Sequence, residues 1–149
     1  VGVAPGSEMS RAIKTAKKKN IELALIDQDI EITLQRLSKA ITWKEKLNFL
    51  ADIVKAIFIR KKEIDFDLTT VPDKDIIKEL VSKLKERYPN LYKVLIEERN
   101  LAIAENLKNL MSRSRNKKIL VILGAGHIDG IKQILEKEEQ EIKYTLSFG

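Results

Sequence analysis

Lys118-Ile-Leu-Val-Ile-Leu-Gly-Ala-Gly-His127 governs the expected fold. Residues 119–123 are apolar without a break and include β-branched side chains. That pattern suits a strand covered on both faces. Gly124 and Gly126 offer a turn where the backbone can swing sharply and approach another group closely. The turn presents His127, the only histidine of the chain. An imidazole in that place can ligate a metal or move a proton, and it can equally pack a turn.

A strand of this kind needs neighbours. Ile21 to Ile26 is expected to form a second short strand that ends at Asp27. The tail Ile142, Tyr144, Leu146 and Phe148 alternates with Lys143, Thr145 and Ser147, the period of a half-buried strand. Helical periodicity fills the rest. Met9, Ala12, Ile13 and Ala16 define a first helix, with Ser7 as its cap and Asn20 ending it in a left-handed conformation. Ile30, Leu34, Leu37 and Ile41 share one face of a second. Thr42-Trp-Lys-Glu45 is a capping box that opens a third, with Leu47, Leu50, Val54 and Ile57 as its stripe. Arg60 to Pro72 is a charged connection. Ile76, Ile77, Leu80 and Leu84 mark a fourth helix. Pro89 suits the first turn of a fifth that runs to about Met111. Ser112 to Lys117 reads as a polar loop, and Ile128, Ile131, Ile134 and Leu135 mark a sixth helix. Strand–helix alternation implies parallel pairing. The expected fold is therefore α/β: a small, mainly parallel sheet with a large helical lobe over about residues 42–111.

Composition limits the function classes. The 149 residues suffice for one domain with a real core. No apolar run approaches the roughly 18 residues that span a bilayer. The opening Val1-Gly-Val-Ala-Pro-Gly6 has none of the regions of a signal peptide. With no cysteine there are neither disulfides nor thiolate metal sites, which fits a reducing compartment. A location in the cytoplasm, or on the cytoplasmic face of a membrane protein, follows as the expectation. The Lys-, Glu- and Ile-rich charged content resembles a thermophile's. The net charge of +6 raises the question of nucleic acid. However, the basic clusters at Lys17–Lys19, Arg60–Lys62 and Arg113–Lys118 have no interleaved aromatics, and no nucleic-acid motif is present. No nucleic-acid partner is expected.

The residues that can carry chemistry are few. Gly124 to Gly130 has the wrong glycine spacing for a dinucleotide fingerprint. Asp27 and Asp29 follow one predicted strand, and His127 follows another. Ligand crevices of open parallel sheets lie at those ends. Two carboxylates and an imidazole on one rim could hold a divalent metal, although either aspartate could instead cap the next helix. Asn100 falls within the apolar stripe of Ile96, Ile103, Ala104 and Leu107. A buried amide there must find a hydrogen-bond partner. Arg99 lies at the edge of that face, and Glu98 and Glu105 share another.

Taken in order, Gly2-Val-Ala-Pro-Gly-Ser-Glu-Met9, Leu25-Ile-Asp-Gln-Asp-Ile-Glu-Ile-Thr-Leu34, Glu98-Arg-Asn100 with Ala104-Glu105, and Gly124-Ala-Gly-His127 resemble the TraB/PrgY pheromone-shutdown family. That family is related to the Tiki metalloproteases. The resemblance implies an α/β fold with a helical lobe. It also implies a site of two Gly-x-x-His motifs, an acidic residue and an arginine. The second Gly-x-x-His corresponds to Gly124 and His127, and the arginine to Arg99 beside Asn100. The first has no counterpart, so the chain is expected to be one domain over 1–149 without its N-terminal strand or strands. Gln28 stands where the family typically has an arginine.

The implied function is metal-dependent hydrolysis of a peptide signal. His127 and Asp27 would be ligands of a divalent metal. Glu98, Arg99 and Asn100 would be the catalytic group, with Arg99 steadying a carboxylate or oxyanion and Asn100 orienting a ligand. By itself the chain is expected to be inactive. The alternative is a non-catalytic module that binds or sequesters a peptide, or serves assembly; a basic nucleic-acid binder ranks below both. Membrane attachment would come only through segments outside this sequence, and open strand edges would allow a homo-oligomer.

Overall fold

The computed structural model describes residues 6–59, 74–114 and 118–147. Its elements are α1 (Ser7–Lys18), α2 (Ile30–Ala40), α3 (Trp43–Ile59), α4 (Lys74–Arg87), α5 (Pro89–Tyr92), a π-helical turn (Lys93–Glu97), α6 (Glu98–Arg113) and α7 (Ala125–Ser147). The helices expected from periodicity are present. Asn20 is left-handed, with φ 49°. The start of α1 differs in detail: Gly6, at φ 80°, is its N-cap, and Ser7 is already its first helical residue.

The expected parallel sheet is absent. Among the described residues there is no strand, and the architecture is helical. The α/β fold class is overturned for a physical reason. A strand is stabilised by backbone bonds to a neighbour, and here the backbone is served otherwise: the Ile26 carbonyl accepts a bond from the Asn106 side-chain amide at 3.0 Å. Residues 21–26 and 118–124 are instead irregular connections. Ile26 and Leu123 pack on the core, whereas Leu25 is 84% and Leu120 88% exposed. The alternating tail is overturned as well, since Ile142 to Ser147 continues α7. The run Glu136-Lys-Glu-Glu-Gln-Glu141 is rich in helix formers, and a helix once nucleated propagates at little cost. The opening motif as far as Pro5, the connection Arg60–Pro72, the loop residues 115–117 and Phe148 lie outside the described residues.

The core sits between α6 and α7. Ile103, Ala104 and Ile131 form its buried centre, with Ile134 and Leu135 against it. Val94 and Leu107 are also buried. The stripe read for α6 is thus packed at Ile103, Ala104 and Leu107, and that of α7 at Ile131, Ile134 and Leu135, whereas Ile128 is exposed. The stripe of α3 is not packed, because Leu47, Leu50 and Val54 are exposed. Polar contacts hold α3 instead. Asp52 accepts bonds from the Arg87 guanidinium and the Tyr88 hydroxyl, which hold its carboxyl down at about 2. Phe49 meets Tyr88 edge to face at 6.4 Å.

The π turn was not foreseen from the sequence, where Pro89 to Met111 reads as one uninterrupted helix. An extra residue in one turn rotates everything after it by about 100° relative to a continuous α-helix. Lys93–Glu97 stands immediately before Glu98, Arg99 and Asn100. It therefore sets which way those three side chains face.

Candidate functional site

The site is built where the first turn of α6 meets the first turn of α7. His127 is in that turn of α7 rather than on a strand rim. Its N–H donates to the Gly124 carbonyl at 2.9 Å, so helical structure begins before the residue at which periodicity placed it. Neither Gly124 nor Gly126 has a positive φ. The sharp glycine turn expected there is not what presents the histidine; the helix does.

His127 is 9% exposed and Asn100 is 5% exposed. The imidazole Nδ1 lies 2.7 Å from Asn100 Oδ1. The amide oxygen can only accept, so Nδ1 carries the proton and Nε2 keeps its lone pair. The demand that a buried amide find a partner is met by the one histidine. Burial pushes the His127 imidazole below its ordinary value of 6.5, the Arg99 guanidinium pushes it further down, and Asp27 opposes them.

Below the ordinary value an unfolded chain binds a proton that the folded site resists. The contribution of His127 to stability is therefore complete above about pH 6.5 and is lost as pH falls through the lower folded value. Acidification from neutrality should reduce the urea midpoint of unfolding. His127→Gln should flatten the part of that profile that lies just below neutrality. An unchanged slope would contradict a depressed imidazole.

Arg99 and Asp27 form the second half of the site. Arg99 Nε donates to Asp27 Oδ1 at 3.1 Å, and Nη2 donates to Oδ2, a two-pronged ion pair. Arg99 Nη1 reaches the Leu95 carbonyl in the π turn. Asp27 Oδ1 also accepts from the Gln28 N–H at 2.7 Å. Burial works to raise the Asp27 carboxyl, but the bonds from Arg99 and Gln28 outweigh it and hold it below the usual range. Arg99, Asn100, His127 and Asp27 thus share one neighbourhood.

The other candidates fall elsewhere. Glu98 faces α2, where Arg36 pairs with it at 3.1 Å. Asp29 caps α2, accepting from the Glu31 N–H at 2.8 Å. Gln28 Nε2 donates to the Thr33 hydroxyl at 2.9 Å and anchors the start of α2. Among the described residues no three His, Asp or Glu side chains gather as a metal set. His127 is suited to ligation through Nε2, whereas both oxygens of Asp27 are engaged by Arg99. Sequence reasoning missed Gly130, which lies against Asn100. Its only signal was a glycine inside a helix, where glycine is unfavourable.

Among the described residues, no helix is long and apolar enough to cross a membrane. A sequence profile of the TraB/PrgY/gumN family matches residues 2–145. An uncharacterized protein of Methanocaldococcus jannaschii is 39% identical over 142 residues, which cover 93% of this chain and 34% of the relative. The chain thus spans about a third of that protein's length. No solved structure matches.

Proposed function

The chain belongs to the TraB/PrgY/gumN family, and from that premise we propose that it supplies the histidine-bearing part of a metal-dependent peptide hydrolase. The observation that carries the reading is the His127–Asn100 pair. A buried amide fixes the tautomer, the ring is held neutral, and Nε2 is left to act. A metal-ligating histidine needs that form, with its other nitrogen donated to an oxygen acceptor. The donor set fits in part. His127 is ready, Asp27 would serve only where Arg99 shares it, and any further ligand would come from residues other than these. When bound, a divalent metal would supply a water acidic enough to attack a peptide carbonyl near neutral pH.

The chain's own residues do the rest. Asn100 orients the imidazole. Arg99 holds Asp27 ionised and in place, and the partly exposed guanidinium lies where a peptide carboxylate or a developing oxyanion could share it. Glu98 has no part in this reading, because Arg36 engages it on the α2 side.

The test is peptide cleavage and metal content in the protein that contains these residues. His127→Ala should reduce cleavage to background and release metal. Asn100→Ala should cost about 10–100-fold in activity or metal affinity, the range for a group that orients a ligand. Peptide binding that persists unchanged through chelation and His127→Ala, with no cleavage at any stage, would replace hydrolysis by sequestration.

A further inference from the structure

We infer that Gly130 is a positioning residue for this site. The bare backbone at 130 gives Asn100 the room it needs to hold the His127 imidazole with Nε2 free. The inference rests on the reading of His127 given above, and it extends that reading to a residue which touches no reacting group.

The constraint is steric. A Cβ at position 130 would lie 2.3 Å from Asn100 Nδ2 and 3.3 Å from its Cγ. Carbon and nitrogen that are not bonded do not approach so closely, so one side must move. A flexible side chain at the surface would swing away at little cost. Asn100 cannot, because it is buried and its Oδ1 is bonded to His127 Nδ1. Any rotation that withdraws Nδ2 from position 130 also carries Oδ1 away from the ring. Moving α7 outward instead would open the contact of Ile131 with Ile103 and Ala104 at the centre of the core. Gly130 and His127 are three apart on α7, so both face α6.

The other glycines of the motif provide the contrast. A Cβ at 124 would meet His127 Cδ2 at 3.5 Å, and one at 126 would meet Val81 Cγ2 at 3.7 Å. Both are ordinary van der Waals distances. In Gly124-Ala-Gly-His-Ile-Asp-Gly130 the glycine that packing requires is therefore the one after the histidine. A glycine inside a helix costs about 1 kcal/mol against alanine, so its presence calls for a compensating reason. The close approach of Asn100 provides it.

The experiment uses the long-range proton–nitrogen spectrum of the imidazole, recorded above the range in which histidine titrates. With one histidine in the chain, the signals need no assignment. The unsubstituted protein should show the Nδ1–H form. Gly130→Ala should shift the ring toward the Nε2–H form, and Gly126→Ala should leave it unchanged. An Nδ1–H spectrum retained in Gly130→Ala would overturn the inference.

Should Gly130→Ala fold poorly, the double variant Asn100→Ala, Gly130→Ala decides. It should be no less stable than Asn100→Ala alone, because the clash has lost its partner. Summed losses in the double variant would show that Gly130 acts independently of Asn100, and the inference falls. Neither readout involves peptide cleavage. A protein that cleaves nothing would end the hydrolase reading and leave the role of Gly130 standing.

Discussion

Glu45→Ala is expected to lower the unfolding free energy by about 2–3 kcal/mol, read as a lower urea midpoint with an unchanged slope. Glu45 is 4% exposed, and its carboxylate takes four bonds. Oε2 accepts from the Thr42 N–H at 3.0 Å, the Thr42 hydroxyl at 3.2 Å and Asn90 Nδ2 at 3.1 Å; Oε1 accepts from the Asn90 N–H at 2.8 Å. In return, the Glu45 N–H donates to the Thr42 hydroxyl at 3.3 Å. The capping box read from Thr42-Trp-Lys-Glu45 is therefore real. Its acid does more than the motif requires, because it also caps α5 across 45 residues of sequence. Alanine would strand donors at two helix starts at once.

The same bonds fix a sign. Burial works to raise the Glu45 carboxyl, and the donors from Thr42 and Asn90 outweigh it, so the group lies below its ordinary 4.5. Its stabilisation is present above that value and is lost as pH falls through the lower folded one. Glu45→Gln should remove that part of the acid dependence. A midpoint unmoved by Glu45→Ala would mean that the two helix starts are held by water instead.

What was legible in the sequence follows from which interactions are local. Helix periodicity, the Thr42–Glu45 box and the left-handed Asn20 depend on residues a few positions apart, and each appears in the structure. The sheet did not, because an apolar run such as Ile119–Leu123 shows only that side chains dislike water. Whether it becomes a strand depends on a backbone partner that the run itself does not encode. For the tail, period-two alternation lost to a helix already propagating along α7. In the site, Asn100 was legible because an amide in an apolar stripe requires a partner, and the chain offers one imidazole. The Asp27–Arg99 pair joins residues 72 positions apart and left no local trace. The π turn was invisible for a related reason: Lys93-Val-Leu-Ile-Glu97 is an ordinary helical string.

Asn100→Ala should destabilise the fold by about 2–3 kcal/mol, although the substitution improves helix propensity. Two terms add. The buried Nδ1 of the imidazole loses its partner and is left unpaired, as a donor or, after a change of tautomer, as an acceptor, which costs about 1–3 kcal/mol when no water replaces it. The methyl also leaves a small void beside Gly130, in the close seam between α6 and α7. The helix-propensity gain of a few tenths of a kcal/mol offsets little of this. Relief could come only from the histidine. If His127 is replaced as well, the unpaired ring nitrogen disappears, so the double variant His127→Ala, Asn100→Ala should be less destabilised than the sum of the single variants. That coupling separates a hydrogen-bonded pair from two residues that merely fill space. Additive losses across the cycle would mean that the amide and the imidazole do not sense each other, and the tautomer assigned to His127 would lose its physical basis.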